Sequence, residues 1–229
     1  MSAETISRAV IDFKQWRETL AQIHLRSELL FIESGKLASH RSEECLQLFT
    51  GDRRFRRGLF RKEDERFSSE FSKIEEKSAL LAMVQRLVDS QGALSQKQAS
   101  IMAVAEELIL NCAISAPRVA ATEGLAVSPE KKCLLTVEQA EQELWIHACD
   151  PFGVFHRSNF AQSFRPSPLS ASQSHGNSGR GLEIIVESVT DFYVKSNPQY
   201  GTWAAARIDL GLSNRDHEVE PKRLFLDFA

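Results

Sequence analysis

From Ile74 onward the apolar residues keep a helical period, with Leu80, Val84, Leu87 and Val88 on one face and Gly92 as a stop. A second periodic stretch opens at Ser95-Gln96-Lys97-Gln98, which reads as a capping box. It carries Ile101, Val104, Leu108 and Cys112 on one stripe to about Ser115, where Pro117 is expected to end it. The period then falls to two. Cys133, Leu135 and Val137 alternate with their neighbours, as do Leu144, Ile146 and Ala148, and a short connection near Ala140-Glu141 makes the two runs a hairpin. After Gly181 the helical period returns in Leu182, Ile185, Val186 and Val189, and strands are expected near Phe192 to Lys195 and Thr202 to Leu210. The order helix, helix, hairpin, long loop, helix, hairpin predicts an α/β two-layer sandwich with helices on one face of a mixed sheet.

Upstream the pattern is less regular. Ile6, Val10, Phe13, Leu20, Ile23 and Leu30 fall close to a helical period over residues 6 to 33, with Gly35 as a stop, although Leu29-Leu30-Phe31-Ile32 fits a buried strand equally well. Ser42 to Phe49 predicts a short helix. Arg53 to Lys62 then holds six basic residues in ten, interleaved with Phe55 and Phe60, and runs into Glu63-Asp64-Glu65. That change of character divides the chain into a mainly helical N-terminal region (1–65) that docks a partner or a second copy, a main domain (66–215) and a C-terminal tail (216–229). Residues 156 to 178 hold seven serines, Pro166 and Pro168 and no period. A loop mobile over residues 157–177 is expected, because such a run buries too little apolar surface to offset its ordering entropy.

Composition narrows the function classes. With 229 residues, 42% of them hydrophobic, the chain has room for one sizeable core and an extension. A net charge of −3 and a pI near 6.1 give no global attraction to nucleic acid or an anionic membrane, and the acidic run beside Arg53 to Lys62 offsets the local one. Nucleic acid is therefore not an expected partner. The start Met1-Ser2-Ala3-Glu4-Thr5 lacks a basic segment leading into an apolar run, and no segment is expected to reach the ~20 apolar residues of a membrane span, so the chain reads as cytoplasmic. Cys45, Cys112, Cys133 and Cys149 lack C-x-x-C spacing and suit reduced, buried thiols. His147 and His156 flank the hairpin without metal-ligand spacing.

Three short stretches carry candidate chemistry. Ser178-Gly179-Arg180-Gly181-Leu182-Glu183-Ile184-Ile185 runs a glycine pair into a helix, a device for holding phosphate: the glycines let the backbone approach, Arg180 adds charge, and the helix start offers N–H groups. Glu107 and Asn111 lie one helical turn apart on one face. There a carboxylate orients or deprotonates a nucleophile while an amide oxygen coordinates magnesium on a triphosphate, though the same spacing is common on solvated helix faces. Asp150 leaves a strand where its carboxylate can accept from an exocyclic amine such as that of adenine, or can simply form a turn.

Taken in order, Glu107 to Asn111 on a helix, Asp150 at the end of a hairpin, a serine-rich loop, Gly179-Arg180-Gly181-Leu182 and then Gly201-Thr202 resemble the ATP-binding (Bergerat) fold of the gyrase, heat-shock chaperone, histidine kinase and mismatch-repair (GHKL) ATPases. The resemblance covers roughly residues 71 to 211 and is greatest to the small serine kinases that act as bacterial anti-sigma factors. It implies ATP and Mg2+ as cofactors and a protein partner of a regulatory or sigma-factor-like kind. It further implies Glu107 as general base, Asn111 as magnesium ligand, Asp150 as adenine reader, Gly179, Arg180, Gly181 and Leu182 as the phosphate-contacting end of the lid, and Thr202 as a second adenine contact.

The chain departs from that pattern at two places. The family's first glycine box is D-x-G-x-G, whereas this chain reads Asp150-Pro151-Phe152-Gly153-Val154 and keeps only Gly153; Ser115 stands where many relatives carry a basic or histidine residue. The first departure supports an alternative expectation, a binding module on the same fold without nucleotide. A further alternative is a histidine kinase using His24, although His24-Leu25-Arg26 lacks the acidic residue that follows the phosphoacceptor in that family.

Overall fold

The computed structural model of the chain describes residues 7–11, 29–34, 65–90, 97–128, 130–140, 142–156, 159–160, 163–164, 180–213 and 222–228. Their strands are β1 (Ser7–Ile11), β2 (Leu29–Ser34), β3 (Glu65–Phe71), β4 (Cys133–Ala140), β5 (Glu143–Asp150), β6 (Asp191–Asn197), β7 (Gly201–Asp209) and β8 (Arg223–Phe228). Their helices are α1 (Lys77–Ser90), α2 (Gln98–Leu110), α3 (Ala116–Thr122) and α4 (Gly181–Ser188). The strands form one mixed sheet in the order β1-β2-β8-β6-β7-β5-β4-β3, parallel only at β1/β2 and β6/β8.

Strict alternation in the hairpin sets the register that the sequence predicts. Ala140 faces Glu143 across the turn, and Leu135, Val137, Leu144, Ile146 and Ala148 all point to one buried face. Against that face pack Leu80, Val84 and Val88 of α1, Ile101, Val104 and Leu108 of α2, and Ile185 and Val186 of α4 in one apolar cluster. The opposite face is buried too. Trp145, His147 and Trp203 stack along it with ring centroids 5.9 and 5.7 Å apart, and Tyr193 lies 4.5 Å from Phe225.

The same face carries an ion-pair cluster that ties three strands together. Asp191 stands opposite Arg207 and Arg223 in register, and its carboxylate accepts from the Nε of both. Arg207 also reaches Glu143 at 3.0 Å. Burial pushes the Asp191 carboxyl up, but the two guanidinium groups outweigh it and hold the group below the usual carboxylate range.

Several expectations change. The helix expected over residues 6 to 33 is strand at its described ends, Ser7–Ile11 and Leu29–Ser34, so at 29–32 the strand alternative is the one found. Val10-Ile11 and Leu29-Leu30-Phe31-Ile32 suit a pleated, packed surface, and each strand finds a partner across the sheet. The segment expected as a C-terminal tail includes β8, which lies between β2 and β6 and joins the N-terminal strands to the sheet. β3, on the other edge, was not anticipated. Gln98 opens α2 and donates at 3.0 Å to Gln85 on α1 rather than reaching back to a cap, while Ser95 lies outside the described residues. Within the serine-rich loop, Phe160 and Phe164 are buried in the main core, four residues apart with ring centroids 5.0 Å apart. The other residues from 157 to 177, where mobility is expected, lie outside the described residues.

Pro117 does not end the helix. The rod continues from Gln98 to Thr122 through a wide π-helical turn at Asn111–Ser115, where the Ala116 N–H reaches back five residues to the Asn111 carbonyl. In that register the next carbonyl, that of Cys112, faces Pro117, which has no N–H to give. The Cys133 thiol donates to it instead, at 3.6 Å. This 25-residue rod is long and apolar enough to cross a membrane by length and composition, contrary to the expectation that no segment is. Its stripe Ile101, Val104, Ala105, Leu108, Ile109 and Cys112 is packed in the core.

Candidate functional site

Two pairs of predicted residues meet. On one side, Gly181 opens α4 against α2: a Cβ placed on Gly181 would lie 2.3 Å from the Glu107 Oε2, so this helix start sits directly against the carboxylate, which would have to turn aside for any other residue. Glu107 is half-buried, and its carboxyl is pushed up by burial and then by Glu106, with Lys77 pulling the other way. Lys77 is paired with Glu106 at 2.6 Å. A carboxyl raised in this way is closer to the range in which a general base works.

On the other side, Asp150 ends β5 opposite Thr202 of β7. Its Oδ1 accepts the N–H groups of Phe152 at 2.8 Å and Gly153 at 3.2 Å, and Thr202 donates from backbone and side chain. Burial pushes the Asp150 carboxyl up; these hydrogen bonds pull against it without cancelling the shift. The Thr202 hydroxyl is 3.2 Å from the Ser196 hydroxyl. Gly201, at φ +91°, brings β7 so close to β5 that a Cβ there would lie 2.1 Å from the Asp150 carbonyl oxygen. Gly153, at φ +66°, would bring a Cβ within 2.1 Å of the Asn197 carbonyl oxygen. These two glycines hold the turn around Asp150 in shape.

Asn111 lies one turn beyond Glu107 and begins the π-helical turn, its N–H donating to the carbonyls of Glu107 and Leu108. The next residue, Cys112, is near enough to Asp150 that the carboxylate helps to push its thiol up, after Cys133 and burial. The rod therefore passes close to both pairs. Its donor set of one amide and one carboxylate a turn apart suits a magnesium ion held mainly by phosphate oxygens and water. Among the described residues no cluster of three or more His, Cys, Asp or Glu offers a separate metal site.

The other candidates separate. Arg180 is exposed at the start of α4, where its carbonyl accepts the Ile184 N–H, while the Leu182 side chain is buried in the core. Gly179, His24, Cys45, the helix expected at 42–49 and the basic stretch 53–62 lie outside the described residues. Phe152 and Val154, at the positions where the family has glycine, are 5% and 3% exposed and pack with Ala120, Ala116 and Val119 of the rod. Two features of the site were missed in the sequence. The π-helical turn had one available signal, a proline inside an unbroken apolar pattern; the Cys133 contact with Cys112 had none, because it joins residues far apart in the chain. No family model and no curated protein matches this chain.

Proposed function

We propose that the chain is a cytoplasmic regulatory ATP-binding protein of the GHKL type, similar to the anti-sigma-factor serine/threonine kinases and acting on a protein partner. The observation that supports this reading is the contact of Gly181, at the start of α4, with Glu107 on the rod whose Cys112 feels the Asp150 carboxylate: the candidate base meets the candidate phosphate-holding helix start, and the candidate adenine reader is paired with Thr202. Asp150 and Thr202 would receive the adenine amine, and the Gly179 to Leu182 backbone would receive the phosphates. Asn111 would hold Mg2+, which neutralises charge on the triphosphate. Glu107 then takes the proton from a serine or threonine hydroxyl of the partner as its oxygen bonds to the γ-phosphorus, the bond to the bridging oxygen breaks, and ADP leaves.

A second reading, the nucleotide-free binding module, is favoured by one observation: bulky side chains fill the two glycine positions of the first box. Calorimetric titration of the purified chain with ATP and ADP in magnesium separates the two. The kinase reading expects saturable heat for the native chain, strongly weakened binding in Asp150→Asn, and binding without transfer in Glu107→Ala. No heat from the native chain or from the Phe152→Gly, Val154→Gly double variant overturns it in favour of the binding module.

A further inference from the structure

Beside the Asp150 turn, on the β3/β4 side, the fold leaves a cavity of about 280 Å³ that the proposed phosphoryl chemistry does not use. Its floor is the rod at Cys112, Ala113 and Pro117, and the Phe152 ring and the Cys133 thiol close it. Val127, exposed, stands at its lip with Ser128 and Lys131, and Ser72 faces them from the end of β3. The lining is apolar with one cation and two hydroxyls, and no carboxylate belongs to it among the described residues.

The backbone that carries the cation is hydrogen-bonded to Ser128. The Ser128 hydroxyl accepts the Glu130 N–H at 3.2 Å and the Ser128 carbonyl accepts the Lys131 N–H at 3.0 Å, so a short turn fixes the lysine backbone. The ammonium sits 5.8 Å from the Phe152 ring centroid, above the apolar wall. Of the carboxylates that follow and precede Ser72, that of Glu76 accepts the N–H groups of Ser72 and Lys73 at 2.9 Å, and that of Glu70 is paired with Lys132 at 3.1 Å. The Cys112 thiol adds no opposing anion: the Cys133 contact and burial hold it well above its ordinary value.

We propose that this cavity is a binding site for a small apolar monoanion, an aromatic or branched-chain carboxylate, with the carboxylate on Lys131 and the hydrocarbon against Phe152, Ala113 and Pro117. The volume falls just below the roughly 300–1,000 Å³ of sites for drug-sized ligands, which fits a single ring or a short branched chain. Because Phe152 is both a wall of the cavity and a hydrogen-bond donor to Asp150, occupancy bears directly on the turn that shapes the neighbouring site. The proposal stands independently of ATP binding.

The test is NMR titration of the full chain, labelled with 15N, using phenylacetate as probe and benzylamine as its cationic counterpart. The expected result is saturable, millimolar-range perturbation by phenylacetate centred on Ala113, Val127 and Lys131, with none from benzylamine. Lys131→Met, an exposed change that spares the fold, is expected to weaken phenylacetate by about two- to fivefold, the scale of a partly exposed ion pair. Val127→Trp, which blocks the lip, is expected to abolish it. Equal response to both probes, an undiminished response in Lys131→Met, or shifts centred elsewhere would overturn the proposal.

Discussion

The two ends of the candidate site are built differently. At the Asp150 end the carboxylate is tied into the fold: two N–H groups donate to its Oδ1, Thr202 stands opposite it, and two glycines at positive φ hold the chain around it. At the Glu107 end a half-buried carboxylate rests against a glycine Cα beside the exposed Arg180. The first end is part of the architecture and the second is superimposed on it. Substitutions at the first should therefore move stability and binding together, whereas those at the second should act mainly on chemistry or nucleotide affinity.

The largest expected effect breaks the first end outright. Gly201→Ala forces a side chain at positive φ into a backbone carbonyl and should cost about 2–4 kcal/mol, read as a lower urea midpoint. A midpoint within error of the native chain would mean that β7 has room to shift and that this end is not rigid. Next, Asp150→Ala strands the N–H groups of Phe152 and Gly153 and should cost about 1–3 kcal/mol, while Asp150→Asn keeps an acceptor and loses much less. Equal losses in the two variants would show that charge, not hydrogen bonding, holds the turn.

At the other end, Glu107→Gln should lower transfer by about 10²- to 10⁴-fold with nucleotide affinity kept. The sign of its pH effect follows from the raised carboxyl. The folded state binds this proton more tightly than the unfolded chain, so ionisation opposes folding and stability falls as pH rises from the unfolded value, about 4.3, through the raised folded one. The Gln variant should lack that step, and the acid limb of native transfer should lie above the ordinary glutamate value. Parallel pH–stability curves for the native and Gln chains would contradict the burial of Glu107. The smallest effect is expected from Arg180→Ala, within about 0.5 kcal/mol in urea because the residue is exposed, with any change confined to nucleotide affinity.

The difference between the two ends also marks what was legible in advance. Periodicity alone located α1, α2, α4 and the hairpin, because helices and short-turn hairpins satisfy their backbone groups locally and their buried faces repeat at 3.6 or 2 residues. The residue order likewise picked out Glu107, Asp150, Gly181 and Thr202, which the fold brings together as two pairs. Strands β1, β3 and β8 were not legible, and β2 only as one of two alternatives, since each depends on a partner some distance away in the chain. β8 could enter the sheet only once β6 and β2 stood on either side of it. The sequence also could not say that Asp150 accepts the N–H groups of its own turn, that the helix passes Pro117 through a widened turn instead of stopping there, or that Phe160 and Phe164 lie in the core. Those outcomes depend on which donors, acceptors and apolar surfaces lie within a few ångströms after folding, a property of the tertiary structure that no local window of the chain contains.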